Sequence, residues 1–391
     1  MTTAHIKALD LFAGTGWGVA CQRLGIKEAG VEIMPEAVAT REANGMETIY
    51  RDVWDGLALT EEQHREQYGS YGLLIASPPC QTFSLAGKGA GRAALDEVLE
   101  AIQLHAYKDA DALRAFGEAH DMRTALVLSP LAYVWRDRPR LVAMEQVPTV
   151  LPVWEACAEV MREWGYEVKV EVLNAEQYGV PQTRKRAILV ARRGGPVSLP
   201  TPTHSRYYSR TPEKLDPGVQ KWVSMAEALG WRGMTTRPSP TVTGGGTEAG
   251  GAGPIAKYHE RYTGSPGWVG STDRLTTEEA AALQSYPTVF RNGNQAHASK
   301  RTPNQPAPTI MFGARSNKVE WMDSELAADP AASGTRVTVT EASTLQSYER
   351  PFIWCGTKTK QFLQIGNAVP PLLAEHILAA LVGIHTSQEP A

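Results

Sequence analysis

Apolar positions along the first half of the chain come in short continuous runs. Each run is followed by a stretch in which apolar residues recur every three or four positions. Residues 5–14 (HIKALDLFAG) read as a buried strand and 19–25 (VACQRLG) as the helix after it. Residues 29–34 (AGVEIM) form a second strand and 35–44 (PEAVATREAN) its helix. Residues 71–79 (YGLLIASPP) are a strand running into a proline-rich loop. Further on, 140–147 reads as a strand, 153–164 as a helix, and 166–174 and 186–193 as two more strands. Alternating strands and helices with continuous apolar runs predict an α/β fold, a doubly wound, mostly parallel sheet covered on both faces. Residues 85–120 read as a loop carrying one or two helices (95–107 and 109–119), and 372–384 as an amphipathic helix packing back on the first domain.

The pattern changes near Gly194. From there to about Thr335 the chain is rich in Gly, Pro, Ser and Thr, with short apolar runs and scattered Trp and Tyr, which predicts a second, smaller and irregular domain. The length of 391 residues also favours two domains over a single core.

Composition narrows the classes. No run of about 18 or more apolar residues stands out, so no membrane span is expected. The first residues, MTTAHIKALDLF, lack the basic-then-apolar layout of a signal peptide, and a cytoplasmic location is expected. The four cysteines (Cys21, Cys80, Cys157, Cys355) form no C-x-x-C pair and no zinc-ligand spacing, so no metal is expected. The net charge of −3 does not advertise a nucleic-acid binder. Its distribution is more telling: residues 182–237 carry eleven Lys/Arg against three acids. A solvated charged face and a nucleic-acid surface both fit such a segment.

Five stretches carry chemistry. Asp10-Leu11-Phe12-Ala13-Gly14-Thr15-Gly16-Trp17-Gly18 leaves a strand and opens a helix, where glycines let a ligand approach the backbone. No Lys-Ser/Thr follows, so it is not a phosphate-binding P-loop. Glu32 at the next strand end is placed to accept two ribose hydroxyls, Ile33 to pack on an adenine, and Asp52 to take its amino group. A plain tight turn and a dinucleotide-dependent dehydrogenase remain open on these residues alone. The second stretch, Ser77-Pro78-Pro79-Cys80-Gln81-Thr82-Phe83-Ser84, lies at a strand's carboxyl end, where open α/β sheets hold their chemistry. A single Cys is more often inert filler, but two prolines stiffen this approach and a glycine-bearing basic stretch follows, 87–92, with Lys88 and Arg92. The others are Met144-Glu145-Gln146-Val147-Pro148, Gln182-Thr183-Arg184-Lys185-Arg186 and Gln364-Ile365-Gly366-Asn367-Ala368-Val369-Pro370-Pro371. Taken singly, these also fit a surface carboxylate, an exposed basic turn and a helix-start turn.

In this order the five resemble the DNA (cytosine-5) methyltransferase family, over residues 5–193 and 336–385. The resemblance implies a class I, Rossmann-like methyltransferase fold, with residues 1–193 plus 336–391 catalytic and 194–335 a target-recognition domain. It implies S-adenosylmethionine as cofactor, held by Phe12, Gly14, Gly16, Glu32, Ile33, Asp52, Val53, Pro79, Asn367 and Val369. It makes Cys80, Glu145, Arg184 and Arg186 the catalytic set. Gln81, Ser84, Lys88, Arg92, Arg206 and Arg210 would face DNA. The partner is then double-stranded DNA with a flipped cytosine, a cognate restriction enzyme is a further candidate, and the chain is expected to be a monomer. An RNA-directed enzyme of similar fold and a catalytically weak DNA-binding relative are the alternatives. Asp121 and Arg123 also fit the family. Two positions depart from it: Gln146 stands where Asn is usual, and Trp17 where glycine is usual. The 65 residues from Cys80 to Glu145 imply an inserted helix.

An internal repeat is also legible. Residues 238–244 (PSPTVTG) are echoed by 306–313 (PAPTIMFG), and Arg274–Tyr286 by Arg336–Tyr348. Only the second copy leads into Gly366-Asn367, so it is expected to close the catalytic domain. The first would be a helix beside the DNA cleft.

Overall fold

The computed structural model describes residues 5–79, 90–229, 288–292, 299–310, 319–323 and 335–384. Its centre is a seven-stranded sheet in the order β3-β2-β1-β4-β5-β7-β6. The strands are β1 (Lys7–Leu11), β2 (Lys27–Val31), β3 (Glu47–Tyr50), β4 (Leu73–Ala76), β5 (Leu141–Gln146), β6 (Tyr166–Asn174) and β7 (Lys185–Arg193). β1 to β5 pair in parallel, while β7 runs antiparallel between β5 and β6. The expected doubly wound α/β sheet is therefore present, with β7 inserted against the common direction.

Alternation along the strands builds two cores. Leu74 and Ala76 of β4 face a cluster with Tyr133, Trp154 and Leu131, while Leu73 and Ile75 face one with Trp17, Leu373 and Ile377. Burial on both faces explains why β4 reads as an unbroken apolar run. The helix Gly16–Leu24 stops where Gly25 turns left-handed, at φ 67°. The span between Cys80 and Glu145 carries the helices Ala90–Gln103, Ala110–Ala119, Met122–Leu126 and Ser129–Asp137. Asp121 caps the third of these and pairs with Arg123 at 2.7 Å.

A second, antiparallel sheet has the order β11-β10-β8-β9, from β8 (Thr288–Asn292), β9 (Ser299–Arg301), β10 (Val319–Asp323) and β11 (Thr335–Arg336). Phe290 and Trp321 meet edge to face at 4.9 Å and share a buried cluster with Met225, Ile310, Leu345 and Ile365. Chain 194–205 stays on the main body: Val197 joins its core, and the Pro200 carbonyl accepts a hydrogen bond from Tyr178.

The second repeat copy forms the helix Val339–Leu345, opened by a Thr338–Glu341 capping box. Tyr348 beyond it meets Thr15 at 2.6 Å. The first copy lies outside the described residues. The stretch Lys358–Val382 is, by length and composition alone, apolar enough to cross a membrane. It is two helices, Lys358–Asn367 and Pro371–Val382, and 72% of the apolar window is buried inside the protein.

Candidate active site

The parallel strands β1, β2, β4 and β5 end at one edge of the sheet, and antiparallel β7 begins there. Most of the chemistry-bearing stretches described so far lie along that edge. The chain leaves β1 through Phe12 (φ 58°) and Gly14 (φ 47°), both left-handed, in a tight turn that leads into a helix. A side chain at Gly16 would collide with the Val369 carbonyl, so the helix start packs directly on the Asn367-Ala368-Val369 turn. Asn367 itself is exposed.

Glu32 follows β2. Its two carboxylate oxygens accept one backbone amide each, from Gly14 (2.9 Å) and Met34 (2.8 Å). Ile33 beside it is 65% exposed. Asp52 accepts from the Trp54 amide at 3.1 Å and starts the short helix Val53–Leu57. The Tyr133 hydroxyl holds the Val53 carbonyl at 2.7 Å.

Beneath this edge lies a buried charge that sequence reasoning missed. Arg41 is fully buried and donates to the Gly14 carbonyl (3.1 Å), the Glu47 carbonyl (2.6 Å), Thr48 (3.1 Å) and the Glu28 carboxylate (2.7 Å). A side chain at Gly30 would strike its guanidinium. The signal was a glycine inside a strand, which often marks such a close approach. Asp10 is also fully buried, and neither oxygen has a hydrogen-bond partner among the described residues. Burial, then the neighbouring Glu28, pushes its carboxyl well above the usual range, against the pull of Arg41.

On the β5–β7 side, Arg186 Nε lies 2.6 Å from Glu145 Oε1, both side chains nearly buried. Arg184 is buried and donates to the Ala368 carbonyl at 3.0 Å, joining this side to the Gly366–Val369 turn. Gln182 bridges the Leu345 carbonyl (3.4 Å) and the Ile310 amide (3.3 Å), so the same motif reaches the small sheet's core. Pro79 is half-buried at the end of the β4 loop. Cys80, Gln81, Ser84 and Lys88 lie outside the described residues, as does the side chain of Arg92. Arg206 and Arg210 are exposed on a loop whose Asp216 takes the Arg206 amide at 2.8 Å. In the same loop Lys214 lies 4.3 Å over the Tyr208 ring. Among the described residues no group of His, Cys, Asp and Glu could hold a metal.

The family model for C-5 cytosine-specific DNA methylases matches residues 6–102 and 114–383. The chain belongs to that family.

This DNA cytosine-5 methyltransferase is 26% identical over 393 residues to the type II methyltransferase M1.HphI of Haemophilus parahaemolyticus, covering 97% of this chain and 87% of that one. It is 27% identical to M.XorII of Xanthomonas oryzae, with 94% and 82% covered. Solved structures share the fold. A protein described as a DNA modification methyltransferase encoded within an E. coli prophage superposes with TM-score 0.55 at 18% identity, over 97% of this chain and 99% of that one. The S. pombe Dnmt2 methyltransferase gives TM-score 0.55 at 12% identity, with the same coverage of both chains.

Proposed function

We propose that this methyltransferase acts on cytosine in double-stranded DNA, with Cys80 as nucleophile and S-adenosylmethionine as methyl donor. The observation that carries the reading is the buried Glu145–Arg186 pair at the sheet edge, level with the strand end that leads to Cys80.

The residues around the glycine-rich turn fit the donor. Each Glu32 oxygen takes one backbone amide and keeps a lone pair for a ribose hydroxyl. Exposed Ile33 offers an apolar face for an adenine, Asp52 and Val53 would take part beside it, and buried Asp10 has neither oxygen hydrogen-bonded among the described residues. Phe12, Gly14, Gly16, Pro79, Asn367 and Val369 complete the wall. When bound, the donor supplies an electrophilic sulfonium methyl.

The chain's own residues handle the base. Carbon 5 of cytosine is a weak nucleophile. The Cys80 thiolate adds at carbon 6, and the ring electrons shift to carbon 5, which takes the methyl. Loss of the carbon 5 proton then restores the double bond and expels the thiolate. Glu145 would hold N3 and the exocyclic amine as the ring gains electron density, and Arg186 keeps that carboxylate in place. Arg184 would sit near the base oxygen. A cytosine in a duplex must leave the stack to reach these groups, at a cost of a few kcal/mol. Arg206, Arg210 and the residues after Cys80, including Gln81, Ser84, Lys88 and Arg92, would contact the DNA, with 194–335 the recognition domain. The type II names of the relatives support duplex DNA and a restriction enzyme as a functional partner. The chain would work as a monomer.

Bisulfite sequencing of DNA from cells expressing the chain reads both activity and target. Duplex carrying 5-fluorocytosine at that target should then form a donor-dependent covalent adduct, lost in Cys80→Ser. An adduct that persists in Cys80→Ser would overturn the assignment.

A further inference from the structure

The two residues before Pro79 are gripped from opposite sides. Trp17, 1% exposed at the start of the helix Gly16–Leu24, donates its indole N–H to the Ser77 hydroxyl at 2.9 Å. The Ser77 amide in turn donates to the Leu11 carbonyl at 3.2 Å, carrying the β4–β1 ladder one residue past the strand. From the other side, the Gln146 amide group donates to the Pro78 carbonyl. The Gln146 side-chain oxygen is fixed by the Val147 amide at 2.6 Å. Trp17 and Gln146 are the two positions where the motifs depart from the family's usual residues, and both reach the same dipeptide.

Packing alone does not require this. Trp17 sits in an apolar cluster with Ala20, Cys21, Ile75 and Val369, where a phenyl ring would bury as well. The indole N–H is the part a phenyl ring lacks, and a buried N–H needs an acceptor. That acceptor is a side chain sixty residues away, on the strand end leading to the nucleophile. Trp17 also follows Gly16, which packs on the Val369 carbonyl. The bond therefore ties the glycine-rich turn to the segment before Cys80.

We propose that Trp17 and Gln146 are positioning residues that hold Ser77 and Pro78 so that Cys80 is delivered at the correct distance from the base. The inference rests on Cys80 being the nucleophile. Neither residue meets the reacting atoms, so the effect falls on turnover rather than on binding. A misplaced nucleophile lowers rate steeply, whereas cofactor contacts at Glu32 and Ile33 are untouched.

The test is a double-mutant cycle on the full chain. Trp17→Phe and Ser77→Ala each remove one end of the bond. Each should lower kcat about tenfold, with KM for DNA and the calorimetric Kd for S-adenosylhomocysteine within about threefold. The double variant should be no slower than the slower single one, since both delete the same bond. Gln146→Met, which keeps the length and loses the amide, should show the same split. Ser77→Ala carries the test by itself if Trp17→Phe does not fold. Equal losses in kcat and cofactor affinity, or multiplicative losses in the double variant, would overturn the proposal. Cys80→Ser run alongside separates the two levels. Lost transfer there with a normal Trp17→Phe rate removes the tie alone. Retained transfer removes both the nucleophile assignment and the tie.

Discussion

Arg186 and Glu145 face each other across the β5–β7 boundary, 2.6 Å apart between Nε and Oε1 with both side chains nearly buried. Removing one partner of such a pair leaves the other charge without compensation, at a cost of about 3 kcal/mol. Arg186→Met should therefore lower stability by about that much and cut turnover. Adding Glu145→Gln to it should recover most of the stability and none of the activity. Urea unfolding and single-turnover methylation measure the two separately. Recovery of activity in the double variant would show that Glu145 has no part in the chemistry.

Ile33 offers the opposite case. At 65% exposure it contributes little to the fold. Ile33→Ala should leave unfolding within about 0.5 kcal/mol of the parent. If it covers an adenine, the Kd for S-adenosylhomocysteine should rise about tenfold, in line with loss of a buried aliphatic side chain. Calorimetry decides it, and an unchanged Kd would remove Ile33 from the cofactor wall.

Much of this was legible beforehand, for definite reasons. β4 is buried on both faces and reads as an unbroken apolar run, while β1 and β5 are apolar runs interrupted only by Lys7 and by the motif residues Asp10, Glu145 and Gln146. β3 and the helix Val53–Leu57 escaped because four or five residues carry no period. The helix Ser129–Asp137 was not read from the sequence, although Pro130 stands in its first turn, where proline is at home. The antiparallel insertion of β7 has no local signature, since strand direction is set by neighbours far away in sequence. The same holds within the site. Glu32, Glu145 and Arg184 stood out by motif. The bonds of Arg41 to Glu28, Trp17 to Ser77 and Gln146 to Pro78 join residues 13, 60 and 68 positions apart, and no local pattern predicts such partners.

Glu176 gives a pH dependence. It is nearly buried in the turn before Gln182, and burial pushes its carboxyl up to about 7, against the pull of backbone amides and then Arg206 and Lys185. An unfolded glutamate titrates near about 4.3. Between these values the folded chain keeps a proton the unfolded chain has lost. Its contribution is therefore full below about pH 4.3 and is lost as pH rises through about 7, by roughly 4 kcal/mol in all. Glu176→Gln should match the parent near about pH 4 and exceed it in urea unfolding at about pH 8.5. Parallel curves for the two proteins across that range would contradict it.

Leu345 is fully buried in the cluster with Phe290, Trp321 and Ile365, and its carbonyl accepts from Gln182. Leu345→Asp places a charge where the small sheet meets the catalytic body. It should abolish S-adenosylhomocysteine binding and DNA binding together, followed by calorimetry and gel shift. The matching Leu283→Asp in the first repeat copy should spare cofactor binding and weaken DNA binding. Loss of cofactor binding in Leu283→Asp alone would reverse the roles of the copies.

The contact of Gly16 with the Val369 carbonyl, and of Thr15 with Tyr348, bears on how the protein is made. The glycine-rich turn is translated well before the residues it packs on, which lie more than three hundred positions later. A nascent chain can lay down β1 to β5 in order, but the turn after β1 lacks these two contacts until the segment 348–369 has emerged. Contacts of such long sequence separation form late and slowly. The turn after β1 therefore reaches its final packing only after 348–369 has been made and has docked.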